Sequence, residues 1–148
     1  MKRFIQFAAP LFLVLVMMSS CTEEIIVDPT LPSGAFTVAR SGSFVAQSGT
    51  QTTGVAELGT DEDGTQFLRF GNTFTTKFST GTVAVYFSTS DTYKADPGSD
   101  NPDLILAGIT RAGGEQYIRT PETIGSNFTH VILWCASAGI PFGNAELK

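Results

Sequence analysis

Histidine and cysteine are scarce in this chain, and their scarcity excludes several kinds of functional centre. The 148 residues include one histidine, His130, and two cysteines, Cys21 and Cys135, while all three methionines lie within the first 18 residues. A blue-copper site needs two histidines and a cysteine, so its ligands are missing. Cys-x-x-Cys, Gly-x-Ser-x-Gly and phosphate-loop motifs are also missing. We therefore expect no cofactor, no metal and no enzyme activity.

Positive charge is also in short supply. The chain carries 9 Lys and Arg against 14 Asp and Glu, a net charge of −5. Lys2 and Arg3 lie in a leader segment described below, so from Cys21 onward 7 basic side chains face 14 acidic ones. Nucleic-acid binding depends on clustered Lys and Arg that release counterions from phosphates. Nucleic acid is therefore excluded as a partner, and the length suits a single domain.

The first 20 residues have the layout of an export signal. Lys2 and Arg3 form a positive start, residues 8–18 are mostly apolar, and Ser19 and Ser20 follow directly before Cys21. The apolar run is shorter than the roughly 20 residues that a membrane-spanning helix needs. Residues 1–20 are therefore predicted to be a removed signal peptide rather than a permanent span.

Cys21, which directly follows two small residues, resembles the lipobox cysteine of bacterial lipoproteins. That resemblance implies diacylglycerol and a further acyl chain such as palmitate on Cys21, which together hold a protein firmly to a membrane. The acids Glu23 and Glu24 resemble signals that send some lipoproteins to the cell surface. The prediction is an outer-membrane lipoprotein of the bacterial cell envelope, periplasmic or surface-exposed, with residues 21–34 as a flexible tether. The alternative is an ordinary secreted protein in which Cys21 is incidental.

Residues 35–148 lack the helical repeat of apolar residues and read as all-β. Short runs rich in Thr, Val and Phe alternate with turns that contain glycine. We expect an antiparallel sandwich or flattened barrel of about nine strands. They are predicted at 43–47, 53–58, 66–70, 74–78, 82–89, 104–109, 116–119, 128–136 and 142–147. The runs 82–88 and 130–135 are apolar on both faces and are predicted to be central strands, while 93–103 is predicted to be the longest loop.

Cys135 is left without an intramolecular partner if Cys21 is lipidated. One interpretation is a small apolar side chain that packs beside Trp134 in the core; the other is a redox-active or metal-binding thiol. A disulfide between Cys21 and Cys135 is a third. His130 lies five residues before Cys135 on one predicted strand, so alternation directs the two side chains to opposite faces. A catalytic Cys–His pair is therefore disfavoured.

Two acidic clusters remain, at residues 61–63 and around the predicted long loop, where Asp91, Asp96, Asp100 and Asp103 lie. Carboxylates beside glycine suit calcium, although the twelve-residue calcium-binding loop is missing. Asp61 and Asp63 also have the residue type of a glycosidase pair. With one Trp and three Tyr in the chain, however, an aromatic groove for sugars is not expected. Solvated turns are the default interpretation.

The C-terminal third resembles the DM-thirteen domain family. The resemblance rests on Gly-Glu-Gln-Tyr-Ile at 114–118, Pro121, Phe128, Val-Ile-Leu-Trp-Cys at 131–135 and Phe-Gly-Asn-Ala-Glu-Leu at 142–147. Gly-Ser-Phe at 42–44, Gly-Val-Ala at 54–56 and the run 83–88 extend it to nearly all of the domain. The resemblance implies a small extracytoplasmic β domain with a redox or electron-transfer role at the cysteine matching Cys135, because the family often accompanies DOMON and cytochrome b-type domains.

Two functional hypotheses follow. In the first, Cys135 exchanges electrons or thiols with a redox protein, Trp134 shields the strand, and a reversal before Phe142 brings the thiol beside Gly143, where a missing side chain leaves access. In the second, the domain is a non-catalytic binding or scaffolding module for an envelope polysaccharide or protein, and Cys135 is structural packing.

Overall fold

A computed structural model describes residues 30–94 and 101–148, which form eight strands and one short 3-10 helix. The leader, Cys21, most of the tether and residues 95–100 of the predicted long loop lie outside the described residues. No helix within the described ranges is long and apolar enough to cross a membrane. The strands are β1 (Thr37–Ala46), β2 (Val55–Thr60), β3 (Gln66–Phe70), β4 (Val83–Ser88), β5 (Leu104–Thr110), β6 (Gln116–Arg119), β7 (His130–Cys135) and β8 (Ile140–Glu146); the 3-10 helix is Phe78–Thr80.

The strands form one antiparallel sheet in the order β5-β4-β7-β8-β1-β2-β3-β6, which curls into a nearly closed barrel. Strand β1 holds its two halves together, because its first part pairs with β2 and residues 44–46 pair with β8. The barrel nearly closes where β5 meets β6: a side chain added at Gly108 would lie 3.1 Å from Cγ2 of Ile118. The all-β antiparallel prediction is confirmed, in its flattened-barrel form.

The interior is filled by one face of each strand. In β4 the residues Val83, Val85 and Phe87 point inward, and in β7 the residues Val131 and Leu133 do; all five are fully buried. Strands β4 and β7 pair with each other and each has a second neighbour, so their prediction as central strands is confirmed. Alternation puts every second residue in the core, and Ala84 and Ile132 on the opposite face are buried as well, so both faces of these runs are apolar.

The predicted strand at 74–78 does not form, so the described residues hold eight strands rather than nine. Thr75 makes a single two-way bridge with Thr53, and the chain then turns into the 3-10 helix. Phe74 is instead buried in the core, and its carbonyl accepts a hydrogen bond from the Gly114 N–H. The Phe and Thr residues that suggest a strand here lie in a loop, in which Phe74 and Thr76 are buried while Thr75 and Lys77 are exposed.

The barrel has two opposite ends, with Asp61 at one of them and Cys135 at the other. At the first, which we call the entry end, the chain arrives from Ser33, whose N–H donates to the Asp61 carboxylate at 3.0 Å. This bond, and further N–H bonds from Thr65 and Asp63, hold the pKa of Asp61 below its ordinary value against the opposing effect of burial. Because β7 runs parallel to β1 through antiparallel β8, its last residue, Cys135, lies at the other end, the thiol end.

Candidate functional site

Cys135 is the last residue of β7, and its side chain points into the core at the thiol end. It pairs with Val83 of β4 and Ile140 of β8, and it has no solvent-exposed surface. The thiol is free of any disulfide among the described residues. Burial alone is typical of a packing cysteine, so the polar surroundings of the sulfur decide what it can do.

Two polar residues lie directly over the sulfur. Its Sγ is 3.2 Å from the Ser137 hydroxyl, 3.7 Å from the Thr80 hydroxyl and 3.9 Å from the Thr80 carbonyl oxygen. Ser137 also donates to the Thr80 carbonyl at 2.8 Å, which joins the turn after β7 to the 3-10 helix. Ser137 is exposed. The sulfur therefore lies one layer of polar side chains below the surface, not deep in the apolar interior.

The turn over the sulfur depends on two glycines. The Gly139 N–H donates to the Cys135 carbonyl at 2.8 Å, and Gly139 has a φ of 65°, a left-handed conformation that glycine adopts without strain. A side chain at Gly81 would lie 3.1 Å from the Ser137 hydroxyl. These two positions let the Ser137 side chain lie between Cys135 and Thr80.

The hydrogen bonds lower the pKa of the Cys135 thiol even though it is buried. Burial is the largest single influence and raises the pKa, but the Ser137 hydroxyl, the Ala138 N–H, the Thr80 hydroxyl and the Ser137 N–H together outweigh it. A hydroxyl that accepts from the thiol can rotate and donate to the thiolate, so these groups can stabilise the ionised form. The thiolate is the form that loses electrons readily.

The sequence predicts only part of this site. No Lys, Arg or second Cys lies near Cys135 in the sequence, and the lowered pKa comes from neutral donors instead. Ser137 is two residues after the cysteine and is readable from the sequence. Thr80 is 55 residues away and reaches the site because β4 and β7 are neighbours.

The other predicted site residues lie apart from the sulfur. Trp134 points to the outer face of the barrel, opposite to Cys135, so it covers β7 from the far side. Gly143 pairs with Leu133, while Ile140 faces Cys135. The expectation that Gly143 opens access to the thiol is therefore wrong, because the reversal after β7 takes only four residues. His130 also lies on the outer face, as alternation predicts, and its Nδ1 is 2.9 Å from the Thr129 hydroxyl.

Phe142 has a structural role in the core. It is an extra residue in β8 where the register with β7 shifts, and its ring is fully buried. Its carbonyl oxygen accepts bonds from the Gln47 N–H at 3.0 Å, the Thr50 hydroxyl at 2.5 Å and the Thr52 hydroxyl at 2.8 Å. The irregular position is thus held by one backbone N–H and two side-chain hydroxyls of the loop after β1.

Neither acidic cluster forms a metal site within the described ranges. No group of three or more His, Cys, Asp or Glu side chains there has an arrangement that could hold a metal ion. Asp61 uses its carboxylate on backbone N–H groups, as a turn residue does. Asp96 and Asp100 lie outside the described residues.

The fold and the thiol site define a class: a small antiparallel β-barrel domain with one hydrogen-bonded cysteine just below the surface of one end. The chain belongs to the electron transfer DM13 family, which it matches over residues 43–147. The match includes every strand of the barrel in part or in full and contains Cys135, Thr80 and Ser137. Neither a curated protein nor a solved structure matches the chain.

Proposed function

We propose that this domain is an electron-transfer module whose redox group is the Cys135 thiol. One observation carries the proposal: the sulfur has no exposed surface, yet hydroxyl and amide donors surround one side of it and lower its pKa. A cysteine that only fills space in the core needs no such donors. Membership of the electron transfer DM13 family supports the same role.

Burial of the sulfur favours electron transfer over thiol exchange. In exchange, a thiolate must attack a sulfur of the partner directly, and the cover of Thr80 and Ser137 blocks that approach. In the proposed step, Cys135 gives one electron to an oxidised haem or metal centre of a partner protein and becomes a thiyl radical. The thiol proton leaves through the exposed Ser137 hydroxyl to water. The reverse step takes one electron and one proton.

Ferricyanide, a one-electron oxidant, tests this role. The domain, expressed without its leader, is expected to reduce one equivalent of ferricyanide per chain at neutral pH. The loss of ferricyanide absorbance measures this reduction. Ser137→Ala removes the hydroxyl nearest to the sulfur, so it is expected to raise the pKa of Cys135 and shift the pH profile of the reaction upward. Thiolate absorbance in the ultraviolet measures that pKa independently.

Cys135→Ala is the matched control, since it removes the sulfur and leaves a small side chain in the core. If this variant reduces as much ferricyanide as the wild type, the sulfur is not the redox group. An unchanged pH profile in Ser137→Ala would show that the hydroxyl does not act on the thiol. Ser79→Ala changes an exposed serine within the 3-10 helix and is expected to leave both measurements unchanged.

We also propose that lipid on Cys21 anchors the domain in the bacterial cell envelope, on the outer membrane. The support is the sequence of the leader, with its positive start, apolar run and small residues before Cys21. Full-length protein is expected in the membrane fraction, and Cys21→Ser is expected in the soluble fraction of the cell envelope. Membrane association of Cys21→Ser at the wild-type level would contradict the anchor.

A further inference from the structure

The outer face of the barrel gathers most of the large aromatic side chains that carry polar groups. The Trp134 ring stacks on Tyr93 with centroids 4.0 Å apart and planes inclined by 21°, and Tyr86 lies 5.2 Å from Tyr93. Trp134 is the single tryptophan, and these are two of the three tyrosines. The composition argued against an aromatic groove for sugars, but the fold concentrates the few such rings in one place.

This aromatic cluster is held firmly. On the outer face below it, Ala84 is almost fully buried and Ile132 has no exposed surface, although neither belongs to the interior core. Burial, the larger influence, and a hydrogen bond that the Tyr86 hydroxyl donates to Tyr93 raise the pKa of Tyr86 to about 12. The rings are thus fixed by a small apolar base and a bond between two hydroxyls, so stacking a ligand on them requires little further ordering.

A polar depression lies beside the aromatic cluster. It encloses about 410 Å³ on the outer face of β7, β8 and β1, and its lining includes Ser41, Ser43, Asp91, His130, Asn144 and Glu146. Asn144 pairs with Ile132, the residue beneath the rings, and Asp91 belongs to the same loop as Tyr93. The depression and the ring cluster are therefore adjacent parts of one surface, since paired residues on neighbouring strands lie about 5 Å apart.

The charges of this surface point away from an ionic ligand. Glu146 forms an ion pair with Lys148 at 2.9 Å, and this bond, with a contribution from His130, lowers the pKa of the Glu146 carboxyl. Lys148 also lines the depression, but Glu146 balances its charge, so Asp91 opposes an anion; no metal-binding group exists among the described residues. What remains is a mixed set of hydroxyl, amide, imidazole and carboxylate groups that can both donate and accept hydrogen bonds.

We infer that this surface binds an uncharged polysaccharide chain, with a sugar ring on the Tyr93–Trp134 stack and its hydroxyls in the depression. A pyranose ring has an apolar face of C–H groups and a rim of hydroxyls that each donate and accept. The aromatic rings match the apolar C–H face of the sugar, and the mixed polar lining matches its hydroxyl rim. This binding function is separate from the proposed electron transfer, because Cys135 points to the opposite side of β7.

The test uses three uncharged oligosaccharides, chitohexaose, cellohexaose and mannohexaose, each titrated into the purified domain. At least one is expected to change the fluorescence of Trp134, the chain's single reporter, and to release heat on binding in the calorimeter. Tyr93→Ala removes the stacking partner and is expected to weaken binding by at least about tenfold. Asn144→Ala is expected to weaken it as well, while Tyr93→Phe keeps the ring and is expected to retain binding.

Leu31→Ser provides a matched control, since Leu31 is exposed at the entry end beside Ser33 and Asp61, away from the aromatic cluster and the depression. It is expected to bind like the wild type, and so is Cys135→Ser, which separates this function from the redox role. Circular dichroism verifies that each variant is folded. The inference is overturned if none of the three sugars binds at about 5 mM, or if folded Tyr93→Ala and Asn144→Ala bind as tightly as the wild type.

Discussion

Replacing Phe70 by alanine is expected to lower the free energy of unfolding by about 3–5 kcal/mol. Phe70 has no exposed surface, and its ring lies 4.3 Å from that of Phe74 and 5.3 Å, edge-on, from that of Phe44. Truncation would leave a cavity and remove two aromatic pairs at once. Because small domains are stable by only about 5–15 kcal/mol, the variant would lose a large part of its stability.

Chemical denaturation followed by circular dichroism measures this loss. Phe70→Leu keeps most of the volume and is expected to cost less than Phe70→Ala, about 1.5 kcal/mol or below. Leu106→Ala truncates an exposed side chain of β5 and is expected to change stability by no more than about 0.5 kcal/mol. Equal losses in Phe70→Ala and Leu106→Ala would mean that the three phenylalanines do not form the centre of the core.

Gly42→Ala is expected to disrupt the junction between the two halves of the barrel. A Cβ at Gly42 would overlap the backbone carbonyl of Glu146, and a backbone group cannot move aside as a flexible side chain can. The two-way bonds between Ser41 and Lys148, at 2.9 and 3.0 Å, would separate as well. We expect a loss of about 3 kcal/mol, the upper end for overpacked sites.

Gly71→Ala is the matched control for this substitution. The nearest atom to a Cβ at Gly71 is the Val55 carbonyl oxygen at 3.9 Å, an ordinary contact. The change is expected to be neutral or to stabilise by up to about 1 kcal/mol, because alanine restricts the unfolded chain. Thermal unfolding of the two variants side by side distinguishes them. A Gly42→Ala variant as stable as the wild type would show that β1 and β8 can separate there without loss.

Local sequence pattern predicts most strands but not the exceptions. The continuous apolar runs of β4 and β7 predict central strands that are covered on both faces, and both strands have two neighbours in the structure. The first strand begins at Thr37, six residues before its predicted start, because pairing with β2 overrides the weak apolar pattern there. The predicted strand at 74–78 differs in the opposite way, because a strand is predicted there and none forms. Its composition suits a strand, but no partner strand is available beyond one bridge.

The sequence predicts the cysteine at the centre of the candidate site but not the residues that surround it. Cys135 stands out because it is the one cysteine in residues 35–148, and the alternation of β7 separates it from His130. The contribution of Thr80 depends on pairing across 55 residues, which no local pattern reveals. The same applies to Tyr93 and Trp134, which are 41 positions apart in the sequence and meet only because the loop after β4 folds over β7.

The placement of Ser33 and Cys135 at opposite ends of the barrel bears on how a redox partner would approach. Val131 of β7 is level with Phe44 of β1 through Ala145, so most of the length of β1 and all of β7, which is itself about 20 Å long, lie between the entry end and the sulfur. Because the tether after Cys21 is predicted to be flexible, a lipid on Cys21 would leave the thiol end free to face away from the bilayer. Electron donors and acceptors dissolved in the surrounding fluid, or carried on proteins that project from the membrane, could then reach it without contacting the lipid.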